Sequence, residues 1–185
     1  MAKPVIVSGI QPTGNLHIGN YLGAVKNWVD LQNSDKYQLY IFIADLHSLT
    51  GKISAANLRE QVLVTAAELL AAGIDPKKTT FFVQSQIPGH ADLAWIFNCV
   101  APMSELERMT QYKDKSEQLK QTTAGLFTYP ILQAADILMY KGNLVPVGQD
   151  QIQHVELTRD VARWFNNKYG KYFIETKHLL TEVPK

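Results

Sequence analysis

The sequence predicts an α/β fold in which a parallel sheet carries helices on both faces and a helical insertion. Short β-branched or apolar runs alternate with longer stretches whose apolar residues recur at steps of three and four. One later stretch, at about 90–125, interrupts this alternation with helical character alone. The 185 residues, 46% of them hydrophobic, are enough for a single domain of this kind.

The first predicted element is a strand at residues 4–9, PVIVSG, which ends in a loop containing Pro and Gly. A helix follows directly from His17. Its apolar positions fall on one face, as an amphipathic helix requires: Ile18, Tyr21, Leu22, Val25, Trp28 and Val29. Strand, loop and helix therefore open the chain.

The later elements repeat that order. Strands are predicted at 38–45, at 79–85 and in NLVPVG, and helices at 56–72, 129–141 and 150–167. Residues 169–185 have weak periodicity and no recognisable closing element. Because right-handed crossovers join parallel strands in such a pattern, residues 1–185 are expected to form one Rossmann-like domain.

Composition narrows the class of protein. Eighteen Lys and Arg against 17 Asp and Glu give a net charge of +1, so any contact with RNA must be local. Cys99 is the single cysteine, which excludes an intrachain disulfide, and the cysteine and histidines have no zinc-ligand spacing. Without a signal peptide or a long apolar run, a cytoplasmic protein that does not span a membrane is expected.

The segment VSGIQPTGNLHIGNYLGA carries the strongest local signal. Gly9, Gly14 and Gly19 allow the backbone to approach a ligand, and the helix that begins near His17 directs unpaired N–H groups and a positive dipole end at it. A nucleotide phosphate is the expected ligand. The alternative is a glycine-rich turn that only joins a strand to a helix.

Asp136 is the second signal, because it stands in the apolar context TYPILQAADILMY. A buried carboxylate without a partner costs several kcal/mol, so it is expected to meet a donor or a polar cavity. An indole offers one N–H and no acceptor, which makes this carboxylate a suitable reader of tryptophan. The alternatives are a solvent-facing Asp and one paired with an internal Arg.

The other candidate site residues can each be explained without a bound ligand. Gly148 and Asp150 open the last helix, where Asp150 either caps the helix or accepts from a ribose hydroxyl. Tyr129 could be a packing aromatic and Gln151 a solvated residue, while His47, at a strand end, could be structural. The charged run with Arg108, Lys113, Lys115 and Lys120 is first interpreted as a solvated helix face.

PTGNLHIGNYLGA resembles the HIGH-type signature of class I aminoacyl-tRNA synthetases, in the form with Asn at the fourth position that is typical of tryptophanyl enzymes. Further matching blocks follow in one order: SGIQPTG, ELERMTQYKDK, GLFTYPILQAADILMY and VPVGQDQIQHVELTRD. The resemblance therefore covers nearly the whole chain.

The resemblance implies roles for particular residues. His17 and Asn20 would be catalytic and stabilise the charge on the α-phosphoryl group of ATP. The implied ATP-binding set is Gln11, Thr13, Gly14, His17, Gly19, Asn20, Gly148, Asp150 and Lys115. The implied tryptophan-binding set is Asp136, Tyr129, Gln151, His47, Gln133, Val145, Val147 and Gln111. No metal ligand is implied, since Mg²⁺ would arrive with the nucleotide. The implied partners are L-tryptophan, tRNA(Trp) and a second copy in a homodimer.

Two departures limit these expectations. No KMSKS-type sequence follows GQDQIQH, and the anticodon-reading helical region is absent, so this chain is expected to bind tryptophan weakly and form adenylate slowly. Gln133 stands where many bacterial tryptophanyl enzymes have Met, so a tyrosine-specific synthetase is an alternative. A non-catalytic amino-acid-binding module is another. The hypothesis of a dehydrogenase has less support, because no G-x-G-x-x-G follows the first strand.

Overall fold

Five parallel strands form the sheet at the centre of the computed structural model, which describes residues 2–109 and 122–180 apart from the side chain of Asp150. The strands are β1 (Val5–Ile10), β2 (Gln38–Ile43), β3 (Thr79–Val83), β4 (Leu144–Val147) and β5 (Lys177–Leu180). Their order across the sheet is β3-β2-β1-β4-β5, and each pair is parallel. This order confirms the predicted Rossmann-like sheet.

Eight α-helices connect these strands in the described residues. They are α1 (Ile18–Asn20), α2 (Lys26–Asn33), α3 (Asp45–Ser48), α4 (Ala55–Ala71), α5 (Gly89–Asn98), α6 (Met103–Glu107), α7 (Ala124–Leu138) and α8 (Ile152–Tyr169). A π-helical stretch, Tyr21–Val25, makes α1 and α2 one continuous helix, and 3₁₀ turns lie at Gln84–Gln86 and Gln149–Gln151. Helices α5 and α6 occupy the predicted insertion, of which residues 110–121 lie outside the described part.

Both faces of the sheet are covered. On one face, Ile41 and Ile43 of β2 pack with Trp28 of α2 and Leu69 of α4. On the other face, Val7 and Phe42 pack near Tyr140, which follows α7. Since alternate side chains of a strand point to opposite faces, β2 contributes to both layers of the core.

Several elements differ from the sequence-based expectation, including the second strand, which ends at Ile43 and not at residue 45. Helix α7 begins at Ala124, where the Thr123 hydroxyl accepts from the Leu126 N–H, so Pro130 lies inside the helix. The third strand ends at Val83, before Gln84. Strand β5 was missed: its KHLL sequence is largely exposed at the sheet edge, so it lacks the apolar alternation of a half-buried strand.

Candidate active site

A cavity of about 390 Å³ opens between the carboxyl ends of β1 and β4. These two strands are neighbours in the sheet, yet the chain leaves β1 towards β2 and reaches β4 only after β3. Such a point of reversal leaves a crevice, which is where open α/β sheets bind ligands. Main chain from Val7 to Gln11, the π-helical stretch and α7 form much of the wall.

Most of the predicted site residues lie together around this cavity. Its lining includes Gln11, Asn20, His47, Tyr129, Gln133, Asp136, Val145, Val147, Gly148 and Gln151. Thr13 and Gly14 instead line a second depression beside Lys52, and His17 and Gly19 are in the lining of neither. Gln111 and Lys115 lie outside the described residues, as does the side chain of Asp150.

Asp136 lies on α7 with only 1% of its surface exposed, so the alternative of a solvent-facing carboxylate is wrong. Its partners are not arginines. Oδ1 accepts from His90 Nδ1 at 2.7 Å and from Gln84 Nε2 at 2.8 Å. Oδ2 accepts from His47 Nε2 at 2.8 Å and from the same Gln84 nitrogen at 2.9 Å. The buried carboxylate is therefore satisfied by three side chains.

Two of those partners, Gln84 and His90, are each held in place by a second hydrogen bond. Gln84 Oε1 accepts from the Leu46 N–H at 3.1 Å, which leaves its amide nitrogen to face Asp136. His90 Nε2 lies 2.9 Å from the Tyr140 hydroxyl. Because His90 Nδ1 donates to a carboxylate, a neutral ring accepts from Tyr140 at Nε2. Sequence reasoning missed Gln84 and His90, although both follow β3, whose carboxyl end adjoins those of the other strands.

The electrostatic balance keeps Asp136 ionised. Burial on its own raises the pKa of this carboxyl, but the hydrogen bonds from His47 and His90 and their electrostatic attraction outweigh it and hold the pKa below its usual value. Burial, followed by the negative charge of Asp136, raises the pKa of the Tyr140 hydroxyl to about 12. The cavity thus has a fixed anion on one wall at neutral pH.

Tyr129 lies about two helical turns before Asp136 on α7 and is also buried. Its hydroxyl is 2.8 Å from His154 Nε2 on α8, and burial raises the pKa of this hydroxyl to about 12. The ring meets His47 edge-on at 6.4 Å between centroids. These contacts hold a neutral phenol in place beside the carboxylate.

The His17 side chain caps the helix that follows β1. Its Nδ1 accepts from the N–H groups of Gly19 at 3.1 Å and Asn20 at 3.3 Å, while Asn20 Oδ1 accepts from the His17 N–H. The expectation that these helix N–H groups are unpaired is therefore wrong in this structure. Since Nδ1 accepts, the ring proton lies on Nε2, and the exposed ring offers that N–H as a donor.

The glycine at the end of β1 is required by close packing. A Cβ on Gly9 would come within 2.7 Å of the Phe42 ring, which is buried and stacks on Phe82 at 5.6 Å. Gly9→Ala is expected to lower the free energy of unfolding by about 1–3 kcal/mol, since the ring has little room to move. Urea denaturation measures this; unchanged stability would contradict the packing argument. Gly125→Ala, with nothing nearer than 3.9 Å, is the control.

Comparison with known proteins decides the family. A sequence profile for tRNA synthetases class I (W and Y) matches residues 1–184. The chain belongs to that family. It is 50% identical over 179 residues to a tryptophan–tRNA ligase of Rickettsia bellii, covering 96% of this chain and 54% of that protein. It is 56% identical over 167 residues to the tryptophan–tRNA ligase of Gloeobacter violaceus, covering 90% and 49%.

A solved structure agrees with the fold of this synthetase chain. The Campylobacter jejuni tryptophanyl-tRNA synthetase complexed with ADP and tryptophan superposes with a TM-score of 0.91 at 42% identity, covering 98% of this chain and 56% of that one. The chain thus spans about half the length of the relatives it matches. In the described residues, no helix is long and apolar enough to cross a membrane.

Proposed function

We propose that this chain carries the amino-acid and nucleotide sites of a tryptophan–tRNA ligase, in which L-tryptophan reacts with ATP to give tryptophanyl-adenylate and pyrophosphate. The observation that carries the proposal is the ionised, immobile carboxylate of Asp136 on the wall of the crevice between β1 and β4. An indole N–H is the donor that such a group selects, and Val145 and Val147 provide apolar surface beside it. A relative in this family is described in complex with tryptophan.

The opposite end of the amino acid would face Tyr129 and Gln151, which line the same cavity and can accept from an ammonium group. The contact between Tyr129 and His154 fixes the orientation of that hydroxyl. His47 and Gln133 would complete the tryptophan site, together with Gln111. This arrangement leaves the carboxylate of the amino acid towards the carboxyl end of β1.

ATP would lie across the loop and helix that follow β1. Gln11, Asn20 and Gly148 reach the cavity from this side, and His17 presents its Nε2–H from the helix start. Thr13, Gly14, Gly19, Asp150 and Lys115 are the other proposed nucleotide contacts. His17 and Asn20 would stabilise the charge that builds on the α-phosphoryl group.

The reaction needs alignment more than proton transfer. An oxygen of the tryptophan carboxylate forms a bond to the α-phosphorus, and the bond from that phosphorus to the bridging oxygen breaks to release pyrophosphate. Because the nucleophile is already ionised at neutral pH, no general base is required. Among the described residues no three acidic, His or Cys groups could hold a metal. Mg²⁺ would bind through the nucleotide and neutralise phosphate charge.

The proposed cytoplasmic enzyme would pass the aminoacyl group to tRNA(Trp) and act as a homodimer. Helices α5 and α6 expose Trp95 (71%), Ile96 (44%) and Met103 (64%), an apolar surface that suits a second copy of the chain. Light scattering tests this assembly: a dimer is expected, and Trp95→Glu should give a monomer. A wild-type monomer would contradict it.

Tyrosine is the second candidate substrate, because the family includes enzymes for both amino acids. A phenol needs a donor as well as an acceptor, whereas an ionised Asp136 offers only acceptors. We therefore expect L-tryptophan to raise the melting temperature of the chain at concentrations where L-tyrosine has no effect. Stabilisation by tyrosine alone would favour the tyrosine-specific reading. Tryptophan-dependent exchange of pyrophosphate into ATP would separate either enzyme from a non-catalytic binding module.

A further inference from the structure

Asp136 has no accepting position to spare in this structure. Three donor atoms reach its two oxygens: His90 Nδ1 at 2.7 Å, His47 Nε2 at 2.8 Å, and Gln84 Nε2, which is shared between both oxygens at 2.8 and 2.9 Å. An ionised carboxylate has about four lone-pair positions in its plane. An indole N–H can therefore bind Asp136 only if one of the present donors withdraws.

The three donors differ in what holds them. Gln84 and His90 are fully buried, and each has a second partner, the Leu46 N–H and the Tyr140 hydroxyl respectively. Withdrawing either one breaks bonds on both of its sides. Both are therefore anchored donors.

His47 is held differently. Its side chain is 8% exposed and lines the cavity. Among the residues that the structure describes, its ring has one polar partner, Asp136. It belongs to α3, a helix of four residues that follows β2. Of the three donors, His47 is the one that can turn towards the cavity and lose a single hydrogen bond.

We propose that His47 is an internal stand-in for the substrate. Its Nε2–H occupies the accepting position on Asp136 Oδ2 that the indole N–H takes, and the imidazole leaves when tryptophan enters. Gln84 and His90 stay bound and act as positioning residues for the carboxylate. This inference rests on the proposed function and adds which group leaves Asp136 when tryptophan binds.

The stand-in has two physical consequences. In the empty site it keeps a buried negative charge fully hydrogen-bonded, which avoids the cost of an uncompensated group. During binding it makes the ligand replace a charge-assisted hydrogen bond. A ligand of the same shape without a ring N–H cannot replace that bond and is rejected.

Histidine ¹⁵N–¹H NMR on the chain tests the exchange directly. His47→Asn and His90→Asn variants assign the two ring N–H signals. Saturating L-tryptophan is expected to shift or broaden the His47 signal and leave the His90 signal in place. The analogue in which sulfur replaces the indole nitrogen should bind at least about tenfold more weakly, as expected for loss of a hydrogen bond to a charged group.

The outcomes separate this inference from the proposed function. Tryptophan that binds, by calorimetry, while the His47 signal stays unmoved would overturn the stand-in alone. No tryptophan binding at all would overturn the proposed function and the stand-in with it. If the His90 signal moved instead, His90 and not His47 would be the donor that leaves, which would also overturn the stand-in.

Affinities of matched variants give a second measurement. His47→Ala is expected to bind tryptophan about threefold more tightly, because no donor has to be displaced, whereas His90→Ala should bind it about tenfold more weakly. Tyr140→Phe removes only the hydroxyl that anchors His90 and serves if His90→Ala does not fold; it should also bind more weakly. Equal losses in His47→Ala and in the His90 or Tyr140 variant would contradict the different roles.

Discussion

Replacing Asp136 with asparagine is expected to weaken the binding of L-tryptophan by about a hundredfold or more. Asparagine has nearly the same shape but no charge, and its amide nitrogen would face N–H donors from His47, Gln84 or His90. The indole N–H would lose a charge-assisted acceptor in a buried place, where such a loss is largest. Titration calorimetry of the chain with L-tryptophan measures the effect.

Asp30→Asn is the matched control for this prediction. This substitution makes the same chemical change on the surface. The Asp30 side chain is 62% exposed and pairs with Lys26 at 2.9 Å. Its variant should bind tryptophan as the wild type does. Circular dichroism establishes that both variants are folded. If Asp136→Asn bound tryptophan within about threefold of the control, the carboxylate would not be the indole reader.

Replacing His17 with asparagine is expected to slow tryptophan-dependent pyrophosphate exchange by about a hundredfold, the usual effect of removing one donor to a developing phosphoryl charge. Asparagine is a good helix cap, so it can still accept from the N–H groups of Gly19 and Asn20. It does not carry the outward-facing N–H of the imidazole. The expected result is a slow enzyme with little change in melting temperature.

Two comparisons complete the His17 experiment. His17→Ala should be as slow as His17→Asn and also lose about 1 kcal/mol of stability, because it removes the cap. His178→Asn, at an exposed position on β5, should exchange at the wild-type rate. Exchange by His17→Asn at that same rate would show that His17 acts only as a helix cap.

Most strands and helices could be predicted from the sequence, because the patterns that indicate them are local. A β-branched run, a glycine-containing loop and an apolar stripe from Ile18 are enough to predict β1 and the helix after it. The apolar neighbours of Asp136 likewise predict its burial, which is confirmed. Strand β5 was not predicted, because this exposed edge strand depends on backbone pairing with β4, which leaves little pattern in the side chains.

The partners of Asp136 could not be read from the sequence in the same way. Gln84 and His90 are 52 and 46 residues away from it, and the predicted third strand ran through Gln84 to residue 85. Only the early end of β3 at Val83 lets Gln84 turn towards the carboxylate. The His17 cap was missed for a related reason, since a side chain that satisfies its own helix start leaves no mark in the apolar pattern.

A crystal structure of the chain with L-tryptophan would show whether the crevice between β1 and β4 holds the indole ring against the carboxylate of Asp136. We expect the indole nitrogen at about 2.7–3.2 Å from an oxygen of Asp136, with the amino-acid carboxylate towards the loop after β1. An indole bound elsewhere, or bound in the crevice with its nitrogen turned away from Asp136, would contradict it.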